Sequence, residues 1–179
     1  MTLAALLLNL VLTLGLLAVP AAKSFAISEN EAFPTRLSIE SIKGPALSNE
    51  SLAGKVTLIN FWATWCQACK VEIKEMEGLF KDLSEANPRF QIAFVSLDKD
   101  PAKAVTWFGE NLGTSSFKDR LYKDPEFKAA EILGIDSFPM TLVVNAKGQV
   151  IKVQRGFEKS KGLTESLRER IDAELKVLK

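Results

Sequence analysis

The chain has 179 residues, enough for one domain with a sizeable core, and its 23 lysine and arginine residues nearly balance 22 acidic ones. The positive charges are scattered and no basic run interleaves with aromatics, which excludes the electrostatic surface a nucleic acid requires. Histidine is absent, so Ser-His-Asp and Cys-His catalysis, haem attachment through Cys-x-x-Cys-His and most zinc sites are excluded together, and no metal or cofactor is expected.

From Leu3 to Val19 the sequence is apolar except for Asn9, Thr13 and Gly15, and Pro20 bounds the run. Its apolar residues cover every face, unlike those of a surface helix, so residues 1–26 read as an export segment. Two forms of it stay open. Ser24-Phe25-Ala26 offers small residues at the spacing of a signal-peptidase site, with Ala21 and Ala22 as other cleavage points. The run also approaches the ~20 residues that span a bilayer, and no lysine or arginine precedes it, so an uncleaved N-terminal membrane anchor is the other form. Either form places the rest of the chain in the periplasm or another extracytoplasmic space.

Residues 27–36, with Ser28, Glu29, Asn30, Glu31 and Pro34, read as a polar linker, and the domain is expected over 37–179. Leu37-Ser38-Ile39 and the stretch before Gly44-Pro45 suggest an edge hairpin, followed by a loop to Gly54-Lys55. Val56 to Phe61 is β-branched and apolar on both faces, the pattern of a strand buried inside a sheet. Gln67 to Asn87 has helical periodicity and stops at Pro88; Gln91 to Leu97 is a second buried strand. Asp100-Pro101 caps a helix to about Asn111, and Asp124-Pro125 repeats the signal before a short helix to Leu133 that Gly134 ends. Thr141 to Val144, the turn Asn145-Ala146-Lys147-Gly148 and Gln149 to Gly156 form a hairpin, and Thr164 to Leu178 is an amphipathic helix. Strands alternating with helices imply an α/β sandwich around a mixed sheet.

Cys66 and Cys69, the chain's two cysteines, stand where the first buried strand meets its helix. A helix N-terminus supplies unpaired N–H groups and partial positive charge, which stabilise a thiolate at Cys66. A purely bracing disulfide is the weaker reading, because closing so short a loop is worth only about 2 kcal/mol. A metal site needs about four ligands, and two sulfurs without histidine supply half of them.

Phe61-Trp62-Ala63-Thr64-Trp65-Cys66-Gln67-Ala68-Cys69-Lys70 resembles the active-site segment of the TlpA/ResA-like branch of the thioredoxin superfamily, whose members are exported thiol-disulfide oxidoreductases. The likeness extends from about Phe33 through Gly54-Lys55, Ser96-Leu97-Asp98, Asp124-Pro125 and Gly134-Ile135 to Phe138-Pro139 and the last helix. It implies a thioredoxin-like three-layer sandwich with a central mixed β-sheet and an N-terminal hairpin extension. It also implies that Pro139 is a cis-proline facing the cysteines, with Phe138 and Met140 lining a substrate groove; composition alone argues for trans, since about 5–6% of X-Pro bonds are cis. Trp65 resembles the exposed indole beside the attacking sulfur.

Asn60 occupies the position where thioredoxin itself has a buried aspartate, whereas this branch commonly has asparagine there and an acid elsewhere. At ~100° per residue Glu72 falls between Leu79 and Leu83, the one charge inside the apolar stripe of its helix. It lies one turn beyond Cys69, where the resemblance implies a functional glutamate, so it is expected to be a buried carboxyl with a raised pKa that exchanges a proton with Cys69. Gln67-Ala68 departs from the many relatives with proline at the second position, which leaves the redox potential open. The resemblance implies a reductant of client-protein disulfides, serving c-type cytochrome assembly or metal-centre maturation and fed by a membrane-bound electron donor. A disulfide-forming oxidant and a Cu(I)-binding or metal-delivery module using the same thiols are the alternatives. A peroxidase is disfavoured, because Thr64-Trp65-Cys66 lacks the proline and spacing of a peroxiredoxin loop.

Overall fold

A computed structural model describes residues 26–112, 115–157 and 162–178. The export segment, apart from Ala26, therefore lies outside the described residues. Among those residues no helix is long and apolar enough to cross a membrane.

Among the described residues six strands form one sheet: β1 (Glu40–Ser41), β2 (Val56–Trp62), β3 (Phe90–Ser96), β4 (Leu121–Lys123), β5 (Met140–Val144) and β6 (Val150–Arg155), in the order β1-β4-β3-β2-β5-β6. Five helices accompany them among the described residues: α1 (Asn49–Leu52), α2 (Gln67–Ala86), α3 (Pro101–Asn111), α4 (Lys128–Ile132) and α5 (Leu163–Val177), with a 3-10 turn at Ser115–Arg120. β2 is parallel to β3 and antiparallel to β5, and β3 is parallel to β4, so the sheet is mixed as expected. All seven residues of β2 are buried, which requires cover on both faces and explains why its sequence does not alternate. The consecutive parallel crossovers β2-α2-β3 and β3-α3-β4 advance toward the same sheet edge, and α2 and α3 cover one face. There Phe94 packs 4.8 Å from Phe108, 5.3 Å from Phe80 and 6.0 Å from Phe117, ring centre to ring centre, and Trp62 lies 5.2 Å from Phe108. Each such fully buried aromatic contributes about 1.5–3 kcal/mol through area removed from water.

The expected hairpin is minimal: Ile39 and Leu47 exchange both main-chain hydrogen bonds, at 2.9 and 2.8 Å, while β1 joins the sheet edge by pairing with β4. The linker assigned to 27–36 is corrected, because this segment packs on the fold. Ile27 and Phe33 are buried. The Ile27 N–H donates to the Leu133 carbonyl at 2.8 Å, and the segment exchanges bonds with β6 through Asn30 N–H to Val150 (2.7 Å) and Val150 N–H to Glu31 (2.8 Å). Its exposed Ser28, Glu29, Asn30 and Glu31 mask the two apolar anchors in a composition reading. The helix after Asp124-Pro125 also starts later than expected. Phe127 takes a left-handed conformation, and the Asp124 carboxylate reaches past it to accept the Ala130 N–H at 3.0 Å.

Candidate active site

Cys66 is the N-cap of α2, and its Sγ accepts the Cys69 N–H at 3.2 Å. The two cysteines are joined as a disulfide with an S–S distance of 2.03 Å. Their burial differs in the useful direction: Cys66 keeps 9% exposure and Cys69 has 0%. Reduction would leave Cys66 at the mouth of a twenty-residue helix, where a main-chain N–H and the helix dipole favour the anion.

The preceding turn is held from β3. The Asp98 carboxylate accepts the Thr64 N–H at 3.0 Å, the Thr64 hydroxyl at 2.6 Å and the Ser96 hydroxyl at 2.9 Å, and Asp98 is itself buried. Charge-assisted bonds of this kind are shorter and stronger than neutral ones. Asp98 therefore fixes the backbone two residues before Cys66. Sequence reasoning noted Ser96-Leu97-Asp98 without giving Asp98 a task; an acid two residues beyond a largely apolar strand was the available signal.

Glu72 lies in the first turn beyond Cys69 and has 0% exposure. Burial pushes its pKa up from 4.5 to about 7, because removing a carboxylate from water penalises the ionised form. Hydrogen bonds from Thr141 and Asn60 oppose the shift without cancelling it, and the nearby Glu75 charge adds to it. The Thr141 hydroxyl donates to Glu72 Oε1 at 3.1 Å and Asn60 Nδ2 donates to Oε2 at 3.2 Å, with a further bond from Asn60 Nδ2 to Thr141 Oγ1 at 2.9 Å. Thr141 escaped the sequence reading, although a hydroxyl inside the apolar run Met140-Thr141-Leu142-Val143-Val144 is its trace.

The antiparallel register places Met140 opposite Phe61, so the chain before it runs beside Trp62 and the cysteine turn. The Phe138-Pro139 bond is cis, Pro139 is buried and Phe138 is half-buried. Phe138 stands edge-on to Trp65 at 6.4 Å, and Trp65 is 61% exposed. Met140, expected to line a groove, is corrected: its side chain is fully buried in the core, because β5 lies inside the sheet with both of its faces covered.

Comparison with known proteins agrees with this geometry. The Redoxin family matches residues 27–170. The chain is 30% identical over 132 residues to the thiol:disulfide interchange protein HelX of Rhodobacter capsulatus, covering 74% of this chain and 70% of that protein. It is 28% identical over 129 residues to the thiol-disulfide oxidoreductase ResA of Halalkalibacterium halodurans, covering 72% and 67%. The fold is similar to the thioredoxin domain of a thiol-disulfide oxidoreductase from Bacteroides vulgatus, with a TM-score of 0.63 and 16% identity over 81% of this chain and 99% of that one. With its paired cysteines on a thioredoxin-like fold, the chain belongs to the Redoxin family of the thioredoxin superfamily and is a thiol-disulfide oxidoreductase.

Proposed function

We propose that this protein acts outside the cytoplasm as a reductant of client-protein disulfides, among them those of c-type cytochrome assembly or metal-centre maturation. The observation that carries the reading is the asymmetry of the pair: Cys66 is reachable at a helix N-terminus, and Cys69 is sealed beneath it one turn from a buried acid. In the reduced protein the Cys66 thiolate attacks one sulfur of a client disulfide. A Cys66–client S–S bond forms, and the client's other sulfur leaves as a thiolate that takes a proton from solvent. Cys69 then passes its thiol proton toward the Glu72 carboxylate and attacks Cys66 Sγ, releasing the second client thiolate. Two electrons move to the client, and Cys66-Cys69 ends as a disulfide for a membrane-bound donor to reduce. A carboxyl with a pKa of about 7 is suited to this exchange, because it can take and return a proton near neutrality. Trp65, Phe138 and Pro139 are the proposed client contacts, and the N-terminal run serves as export signal or anchor.

The test is trapping with Cys69→Ala in the protein's native compartment. A mixed disulfide at Cys66 that captures a defined set of partners is expected, and loss of all trapped species in a Cys66→Ala, Cys69→Ala control verifies its chemistry. Absence of any Cys66-linked protein would refute the client-directed role.

A further inference from the structure

Phe127 has a bulky side chain on a left-handed backbone, with φ 59° and ψ 20°. Glycine or asparagine takes this conformation readily, whereas a large residue is strained in it. Burial does not offset that strain, since Phe127 remains 38% exposed. The turn lays its ring 6.1 Å from Phe138, which in turn stands 6.4 Å from Trp65. Three aromatic rings thus form a continuous surface row that begins at the residue next to Cys66. The charges flanking Phe127, Glu126 and Lys128, pair with each other, and Gln67 and Ala68 beside the cysteines are exposed and uncharged.

We propose that Phe127 is a specificity residue extending the client-binding surface, and that the row receives an extended client segment with apolar side chains next to the cysteine under attack. The inference rests on the client-reducing role above. Strain without burial points to a use at the surface, and the occupant follows from what the row offers: aromatic faces and edges, uncharged Gln67 and Ala68 beside the cysteines, and direct continuity with the reactive sulfur. The ring-to-ring path accommodates at most about four residues of extended chain, so selection acts on the immediate neighbours of the client cysteine.

Reduction kinetics of the full protein on three probes test this: a disulfide-linked peptide with Phe and Leu beside its cysteine, the same peptide with Ser there, and glutathione disulfide. In Phe127→Gly and Phe127→Asn, kcat/KM for the apolar peptide is expected to fall about tenfold through KM, with the other two probes unchanged and Tm equal to or above that of the parent protein. An unchanged ratio between the peptides, or an equal loss on all three probes, overturns the inference while leaving the reducing role intact. Failure of the parent protein to reduce any of the probes removes that role and this inference with it.

Discussion

Thr141 stands directly opposite Asn60 across the β2–β5 pair, and both side chains donate to the same carboxyl group, that of Glu72. Two neighbouring strands thus present a neutral polar pair to an acid carried on the cysteine helix. The helix puts the acid near Cys69, and the strands decide how readily it ionises.

That arrangement makes stability depend on pH. The folded-state pKa of Glu72, about 7, lies above the ordinary value of 4.5, so the folded protein holds this proton more tightly than the unfolded chain. The cost of ionising the buried group is absent below about pH 4.5, grows between 4.5 and 7, and is complete above 7. Its size is about 3 kcal/mol at 1.36 kcal/mol per unit. Denaturant unfolding of the oxidised protein at pH 5 and pH 8 should show this loss in the parent protein and little of it in Glu72→Gln. Equal pH slopes in the two proteins would mean that Glu72 is not the buried acid described.

Thr141→Val should raise the Glu72 pKa further, because it removes a hydrogen bond to the ionised form while nearly preserving volume. A bond to a charged group is worth about 1.5–3 kcal/mol, so the shift is about one to two units, readable from the carboxyl infrared band during a pH titration. An unchanged band midpoint would separate Thr141 from the ionisation.

Asp98→Ala should cost about 2–4 kcal/mol in urea unfolding, since it strands the Thr64 N–H and hydroxyl and the Ser96 hydroxyl in a largely buried site. By contrast Arg168→Ala, which breaks the exposed ion pair with Asp82, should cost under about 1 kcal/mol. Similar losses in the two variants would contradict the role given to Asp98.

A reductant should equilibrate with glutathione at a potential near that of thioredoxin, about −270 mV, whereas a value near about −120 mV would assign the oxidising direction instead.

Much of this was legible in the sequence because the relevant signals are local. The β-branched, largely apolar run Val56–Phe61, the capping pair Asp100-Pro101 and the Asn145–Gly148 turn each settle their own structure. Glu72 was visible as a charge out of place in an apolar stripe. What escaped depends on distant partners. β4 is three residues long and exists because β3 and β1 pair with it. Ile27 and Phe33 are anchored by β6 and the Leu133 carbonyl, more than a hundred residues along the chain, so their polar neighbours suggested a linker. The burial of Met140, on a strand covered on both faces, and the left-handed Phe127 are likewise decided by tertiary cover and turn geometry.

The most direct measurement of the central claim is alkylation of the reduced protein by iodoacetamide across pH 5–9, with each cysteine followed separately by mass spectrometry. Cys66 should react at neutral pH with an apparent pKa below the ordinary thiol value of about 8.5, while Cys69 stays protected. An inert Cys66, or Cys69 reacting first, would contradict the assignment of Cys66 as the attacking sulfur.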